Sequence, residues 1–407
     1  MQFNFNKITT RKDTNSVQYE GTEPIFGTQC LEPFWIADMD IETPEAIRDA
    51  MKKRLDNGIF GYTIWQNKEF YEPIKHWWQT RYNISLDDSD IHYSPTVLFT
   101  IGETMRQVSS EEDGIIITTP SYNIFPNLIE SNHRKIVESP LIYDKRSKEY
   151  FLDVDHFTSL CRNENVTMYI HCNPHNPTGK VWSKDELETI KNICEANNVY
   201  LVSDEIHMDF VRPKEDFVSV IDLSEESDKI LAATCLGKSF NLASIPHSYF
   251  ITKDKKLAQV ITETAKEVYQ VSNVSSLALA AIEAAYTECN EWIDQLNDHI
   301  QGNFEYINDY INEHLSDCLS FDIPKATYLG WISFEKSGFD TDVVHKAFID
   351  IGGIAVSPSK LFLNHENNHF RFNAASNRIR IEDGMRRIKD TFDYLYDTQN
   401  CKSGTYI

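Results

Sequence analysis

Short, continuously apolar segments recur through the middle of the chain. They are Ile115–Thr118, Met168–His171, Tyr200–Ser203, Ile230–Thr234 and Tyr249–Thr252. Turn-forming residues bound each segment, which is typical of strands buried on both faces of a sheet. Amphipathic helical patterns lie between them, one of them introduced by the capping box Ser183–Glu186. The alternation predicts an α/β fold in which a large domain holds a mostly parallel central sheet.

The C-terminal third has a different pattern. An Ala-rich helix is predicted from Leu277 to Tyr286, and its spacing continues to Ile311. Three shorter strand-like segments follow Pro324, at 327–334, 351–357 and 369–376. We therefore predict a large domain over 46–287 and a smaller α+β domain over 288–407. The Pro-containing segment 1–45 has little periodicity and is predicted to join the small domain.

Composition narrows the class of protein. The 407 residues carry 39 basic and 62 acidic side chains, a formal net charge of −23, which argues against nucleic acid or an anionic membrane as a partner. No window approaches the roughly 18 apolar residues of a membrane span, and the first residues lack the features of a secretory signal. The eight cysteines show neither C-x-x-C nor zinc-ligand spacing. We expect free thiols, no metal site and a cytoplasmic location.

Polar and aromatic side chains follow four of the predicted strands. In chain order they are Tyr122, Asn176, Asp204, His207 and Lys238. Because parallel strands end at the same edge of a sheet, these side chains are expected to converge. A lysine in a water-poor cleft can form a Schiff base, a carboxylate can keep a pyridinium nitrogen protonated, and a helix N-terminus can bind phosphate. Together they indicate pyridoxal 5′-phosphate (PLP), with a helix after Ser94-Pro95-Thr96 as the phosphate site.

Several blocks of sequence resemble a known family. They are Trp35–Asp40, Gly58–Thr63, Thr119–Tyr122, Asn173–Lys180, Ser203–Asp209, Lys238–Ala243, Thr327–Leu329 and Arg371–Asn373. The chain resembles, from about Phe34 to Ile388, cystathionine β-lyases of the MalY/PatB type. These are fold-type-I PLP enzymes of the aminotransferase class I/II superfamily. The resemblance implies a PLP-dependent carbon–sulfur β-lyase.

The resemblance also implies residue roles. Lys238, Asp204 and Tyr122 would be catalytic: Lys238 carries the cofactor as a Schiff base, Asp204 pairs with its ring nitrogen and Tyr122 stacks on its ring. Asn176 and His207 would face the phenolic oxygen of the cofactor.

Further residues would hold the phosphate and the substrate. The amides of Val97 and Leu98, with Cys235 nearby, would bind the phosphate. Tyr62 would reach it from a second subunit, so the active form would be a homodimer. The substrate-binding residues would be Arg371, Asn176, Ala37 and Tyr328, with Arg371 on the substrate carboxylate.

The sequence departs from the family pattern at the phosphate site. Thr96 stands where glycine is usual, and Cys235 and Gly237 stand where hydroxyl residues are usual. Ser359 follows Pro358 where relatives tend to have glycine. The phosphate is therefore expected to depend more on backbone amides.

The implied reaction is α,β-elimination on cystathionine or another L-cysteine S-conjugate, giving a thiol, pyruvate and ammonia. An aminotransferase on the same fold is the alternative, and a regulatory PLP-binding protein is a third. The pocket for the sulfur substituent is expected to draw on Tyr328, Trp331 and the Trp35–Asp40 segment. It would accept apolar groups, or Asp38 and Asp40 would recognise a cationic tail.

Overall fold

The computed structural model describes residues 2–29, 31–226, 228–363, 365 and 368–403. The strands in these ranges are β1 (Glu32–Pro33), β2 (Ile91–Ser94), β3 (Gly114–Thr119), β4 (Lys135–Asp144), β5 (Glu149–Leu152), β6 (Val166–Cys172), β7 (Tyr200–Asp204), β8 (Ile230–Thr234), β9 (Ser248–Ile251), β10 (Leu329–Ser333), β11 (Ile354–Ala355), β12 (Ser357–Pro358) and β13 (His369–Asn373).

The α-helices in the same ranges are α1 (Val17–Glu20), α2 (Thr22–Phe26), α3 (Glu45–Asp56), α4 (Lys68–Tyr82), α5 (Val97–Val108), α6 (Ile124–Ser131), α7 (Val154–Cys161), α8 (Lys184–Ala196), α9 (Leu236–Ser239), α10 (Lys255–Glu263), α11 (Ser276–Glu288), α12 (Asn290–His314), α13 (Thr341–Ala347) and α14 (Arg378–Ser403). Short 3₁₀ or π turns occur at Asp88–Asp90, Val220–Leu223, Thr264–Val268, Glu335–Ser337, Phe348–Gly352 and Ser359–Phe362.

The large sheet has the strand order β2-β9-β8-β7-β6-β3-β4-β5. The five consecutive strands from β8 to β4 run parallel, whereas β2, β9 and β5 are added antiparallel at the two edges. Every residue of β3, β7 and β8 is buried, as expected for strands whose sequences are mostly apolar. The predicted α/β fold with a mostly parallel sheet is confirmed.

Density of contacts divides the chain into two compact units. Unit 1 contains 43–176 and 180–295, and unit 2 contains 2–42, 177–179 and 296–407 together with its undescribed positions. Contacts define these compact units, whereas a domain is a part of the chain that folds independently. The predicted domain limits therefore stay a prediction.

Unit 2 has its own small sheets. β10, β13 and β12 form an antiparallel sheet, and β1 pairs in parallel with β11. The N-terminal segment, whose sequence has little periodicity, forms α1, α2 and β1. The predicted continuous helix from Leu277 toward Ile311 is wrong: Cys289 leaves the helical conformation (φ −110°, ψ 18°), and α12 begins at the next residue.

No helix in the described part of the chain has the length and apolar character that crossing a bilayer requires. Six cysteines are free thiols, five of them buried: Cys161, Cys172, Cys194, Cys235, Cys289 and Cys318, where Cys235 is the half-buried one. The predicted free thiol Cys30 lies outside the described residues, as does the side chain of Cys401.

Candidate active site

Three adjacent parallel strands supply the centre of the candidate site. Cys172 at the end of β6 is in register with Asp204 at the end of β7, and β8 runs alongside β7. The segments that leave these ends carry Asn176, His207 and Lys238. The structure therefore brings four of the predicted side chains to one edge of the sheet, as the sequence indicates.

Asp204 is a buried carboxylate at this edge, with 5% of its surface exposed. One carboxylate oxygen accepts a hydrogen bond from the amide of Ile206 at 3.1 Å. Burial raises the pKa of Asp204 to about 6, while that amide and the positive charge of Lys238 act to lower it. A cationic group placed against this carboxylate would be stabilised because it would offset the cost of burying the charge.

Lys238 is carried by the single helical turn α9, which begins directly after β8. Cys235 caps this turn: its Sγ accepts a hydrogen bond from the amide of Gly237 at 3.2 Å. The amide of Leu236 donates to Nε2 of His247 at 2.9 Å. Burial raises the pKa of the Cys235 thiol to about 11, so it is a neutral group beside Lys238 near pH 7. The predicted place of Cys235 in a phosphate site stays a prediction.

The helix α5 begins with Val97 and Leu98. Thr96 is its N-cap, and the Thr96 hydroxyl accepts a hydrogen bond from the amide of Phe99 at 3.0 Å. Amides in the first turn of a helix have no carbonyl partner within the helix, and the helix dipole favours an anion there. Thr96, which differs from the family pattern, thus caps the helix and leaves the amides of Val97 and Leu98 as candidate phosphate donors.

The remaining predicted cofactor residues of unit 1 lie in segments that follow strands. Tyr122 follows β3, is half-buried, and packs edge-on against Phe125 with ring centroids 5.4 Å apart. Asn176 and His207 are each 3% exposed, and the amide of Asn176 donates to Sγ of Cys172 at 3.4 Å. A buried carboxylate, a nearby amine and a helix N-terminus match the cationic ring nitrogen, aldehyde and phosphate of PLP, so the residues fit this cofactor.

The predicted substrate-binding residues Arg371, Ala37 and Tyr328 belong to unit 2. Arg371 is 5% exposed on β13; its Nη2 donates to the carbonyl of Trp35 at 2.9 Å, and its guanidinium lies over the ring of Phe362. The Tyr328 hydroxyl donates to the carbonyl of Ala37 at 2.9 Å. These contacts fix the Trp35–Asp40 segment within unit 2, and the role of Arg371 toward a carboxylate stays a prediction.

Asp38 and Asp40 are held in a network of ion pairs within unit 2. Arg11 binds both oxygens of Asp38, at 3.0 and 2.6 Å, and contacts Asp40 at 3.3 Å. Arg380 donates to the second oxygen of Asp40 and binds Glu32 at 2.6 Å. Because arginine neutralises both aspartates, this arrangement disfavours the suggestion that they recognise a cationic tail.

Tyr62 lies in an irregular segment of unit 1 and is 96% exposed. No contact with the other predicted cofactor residues is formed within the described chain. The prediction that Tyr62 acts across a subunit boundary is consistent with this exposure.

Sequence reasoning assigned no role to Glu205, which is fully buried next to Asp204. Its carboxylate accepts from the hydroxyls of Ser203 (3.0 Å) and Ser219 (2.6 Å) and from the amide of Val220 (3.1 Å). Burial raises the pKa of Glu205 to about 7. The feature of the sequence that could have pointed to Glu205 is its place as the second acidic residue of the Ser203–Asp209 block.

Known proteins share this fold and much of this sequence. The family model for aminotransferase class I and II matches residues 35–388. The chain is 32% identical to protein MalY of Escherichia coli (strain K12), covering 94% of this chain and 97% of MalY. It is 30% identical to cystathionine β-lyase PatB of Bacillus subtilis (strain 168), covering 95% and 99%. The PLP-bound C-S lyase of Staphylococcus hominis superposes with a TM-score of 0.87 at 31% identity, covering 96% and 99%.

These similarities extend over nearly the whole chain and both partners, so they describe the complete fold and not a shared fragment. The chain belongs to the aminotransferase class I and II family, in the group that contains MalY and PatB.

Proposed function

We propose that the protein is a PLP-dependent carbon–sulfur β-lyase that acts on cystathionine or other L-cysteine S-conjugates. The observation that carries the proposal is the placement of the buried carboxylate of Asp204, at the end of β7, and of Lys238, directly after the neighbouring strand β8, at one edge of the parallel sheet. The names of the relatives support this reaction over amino-group transfer.

PLP, when bound, supplies a conjugated ring that accepts the electron pair left at the substrate α-carbon. Asp204 would hold the proton on the ring nitrogen, because a buried carboxylate is stabilised by an adjacent cation. The amides of Val97 and Leu98 would bind the phosphate, and Cys235 would limit the space beside it. Tyr122 would cover the ring.

The chain's other residues would orient the reacting groups. Asn176 and His207 would hydrogen-bond the phenolic oxygen of the cofactor. In unit 2, Arg371 would bind the substrate carboxylate, and Ala37 and Tyr328 would be further substrate-binding residues. In unit 1, Asn176 is also proposed as a substrate-binding residue. A contact between arginine and a carboxylate is charge-assisted and fixes orientation as well as affinity.

Lys238 would act as the general base. Its amine takes the proton from the α-carbon, the Cβ–S bond breaks, and the sulfur leaves with the bonding electron pair as a thiolate. The remaining enamine hydrolyses to pyruvate and ammonia. A thiolate is a good leaving group, so the protein mainly has to orient the Cα–H bond and exclude water.

The active form is proposed to be a homodimer. Ile59, Phe60, Tyr62 and Ile64 expose 58–96% of their surfaces in one segment. The Thr63 hydroxyl bonds the carbonyl of Val274, which ties this segment to a second exposed apolar stretch that includes Val268 and Tyr269. A second copy of the chain would bury this surface, and its Tyr62 would reach the phosphate.

A cytoplasmic location is proposed as well. The support is the free state of the six described cysteines, because thiols stay reduced in the cytosol.

The test of the reaction is a panel of cysteine S-conjugates incubated with the purified protein. We expect free thiol, pyruvate and ammonia in equal amounts without a keto-acid acceptor, and none with Lys238→Ala. Transfer of amino groups to 2-oxo acids without thiol release would replace this proposal by the aminotransferase alternative.

A further inference from the structure

Asp209 is a buried carboxylate to which the proposed chemistry gives no role. It closes the Ser203–Asp209 block and is 4% exposed. Its Oδ1 accepts hydrogen bonds from the indole of Trp77 at 3.0 Å and from the hydroxyl of Tyr82 at 2.5 Å. Its Oδ2 accepts a hydrogen bond from the hydroxyl of Ser239, the residue directly after Lys238.

One side of this carboxylate is held by the long helix α4. Trp77 packs parallel to Tyr286 with centroids 4.8 Å apart, and the guanidinium of Arg81 lies 4.9 Å from the Trp77 ring. Nε of Arg81 is 3.8 Å from Oδ1 of Asp209, which compensates the buried negative charge. The position of Asp209 is therefore set by packed aromatic side chains and a cation.

The other side of Asp209 holds a segment that has little structure of its own. α9 is four residues long. The backbone hydrogen bonds that close it run from Phe240 to Leu236 at 3.0 Å and from Leu242 to Gly237 at 3.1 Å. A single helical turn is marginal alone, so its geometry depends on external contacts. The bond between Ser239 and Asp209 is such a contact, and it is charge-assisted.

We propose that Asp209 is a positioning residue for Lys238 and acts through Ser239. The inference rests on the proposed function in taking Lys238 as the base and the attachment point of PLP. A base must be held within a fraction of an ångström of its target, and a side chain locked by packing can transmit that precision.

The test is a double-mutant cycle on the PLP-loaded enzyme. The variants are Ser239→Ala, Asp209→Asn and their combination, with Tyr82→Phe as the matched control. The control removes one hydrogen bond to Asp209 on the α4 side and keeps the bond to Ser239. The readouts are the pH midpoint of the cofactor's visible absorbance, kcat and KM for thiol release, and the melting temperature.

We expect Ser239→Ala to shift the absorbance midpoint, because that midpoint reports the surroundings of the Lys238 nitrogen. We also expect each single variant to lower kcat about tenfold or more, with KM within about twofold. The double variant should be no worse than the worse single one, because both remove the same link. Tyr82→Phe should lower the melting temperature and leave the midpoint in place.

Additive losses in the cycle would overturn the proposal, as would an unchanged midpoint and kcat in Ser239→Ala. A midpoint shift in Tyr82→Phe equal to that in Ser239→Ala would also overturn it, because general loosening would then explain both. If Asp209→Asn does not fold, Ser239→Ala alone decides. Borohydride reduction of the wild type separates failure of the proposed function from failure of the role of Asp209. PLP fixed to another lysine would refute the proposed function. PLP fixed to Lys238, together with an unchanged midpoint and kcat in Ser239→Ala, would refute only the role of Asp209.

Discussion

Single residues at the end of the central sheet combine burial with charge. Asp204 is nearly excluded from water and has the positive charge of Lys238 as an electrostatic neighbour. Isolated buried carboxylates are costly, and the cost falls when a cation is placed against them. A site of this kind is well suited to holding one protonated ring nitrogen. The contribution of the Asp204 charge to the rate can be measured by removing that charge alone.

Asp204→Asn is expected to slow thiol release by about a hundredfold or more while PLP stays bound. The amide keeps the size of the side chain but no longer stabilises a proton on the ring nitrogen. The measurement is kcat for thiol release, with cofactor content determined by absorbance. Glu205→Gln makes the same chemical change one residue further on and is the control; equal losses of turnover in both variants would contradict the specific role of Asp204.

Asp38→Asn is expected to leave the choice of substrate unchanged. Both oxygens of Asp38 are taken by Arg11, so the side chain is not available to a cationic tail. The ratio of kcat/KM for cystathionine to that for S-methylcysteine should stay within about twofold, while the free energy of unfolding falls by about 1 kcal/mol. A selective loss of cystathionine turnover would show that Asp38 does recognise the substrate.

At the scale of elements, the strands of the sheet and the edge where they meet could be predicted from sequence. Short apolar segments such as Ile230–Thr234 have few alternatives to a buried strand, and polar residues after them fall at a common edge. The break between α11 and α12 could not be predicted, because the apolar spacing continues through Cys289 without glycine or proline. The role of Thr96 as an N-cap and the partners of Asp38 depend on contacts between distant residues, which periodicity does not report.

Glu205 joins the end of β7 to the segment at Ser219 and Val220, and this link is expected to make stability depend on pH. Burial raises the pKa of Glu205 in the folded state to about 7, from its ordinary value of 4.5. The folded state therefore binds more protons between these values, and stability falls as the pH rises through this range, by up to roughly 3 kcal/mol.

Urea unfolding at pH 5 and pH 8 tests this link. Compared with Glu205→Gln, the wild type should lose free energy of unfolding between pH 5 and pH 8, because the glutamine cannot ionise and the glutamate can. The same difference at both pH values would mean that Glu205 does not titrate in this range.

At the scale of the whole molecule, the exposed apolar surface around Tyr62 is the feature that a single chain leaves unexplained. A chain with a net charge of −23 repels its copies at long range. Association would therefore require burial of this local apolar surface and would strengthen as salt screens the charge.

Tyr62→Phe is expected to raise the dissociation constant for PLP several-fold, because one hydroxyl donor to the phosphate is lost. Tyr394→Phe, a change at another exposed tyrosine, is the control. Mixed Tyr62→Phe and Lys238→Ala chains should form hybrids with one intact site and regain activity. Full activity of a monomer at low concentration would contradict the shared site.

The pairing of β1 with β11 has a consequence for synthesis on the ribosome. Glu32 pairs with Ile354 in this ladder and forms an ion pair with Arg380, so the segment around β1 must wait for partners that are synthesised about 320 residues later. At roughly 5–20 residues per second this delay is roughly 15–60 s. Throughout that interval residues 2–42 are exposed to proteases and chaperones. In a nascent chain stalled near residue 300, proteases should therefore cleave within residues 2–42 first. The released, folded chain should resist cleavage at the same sites.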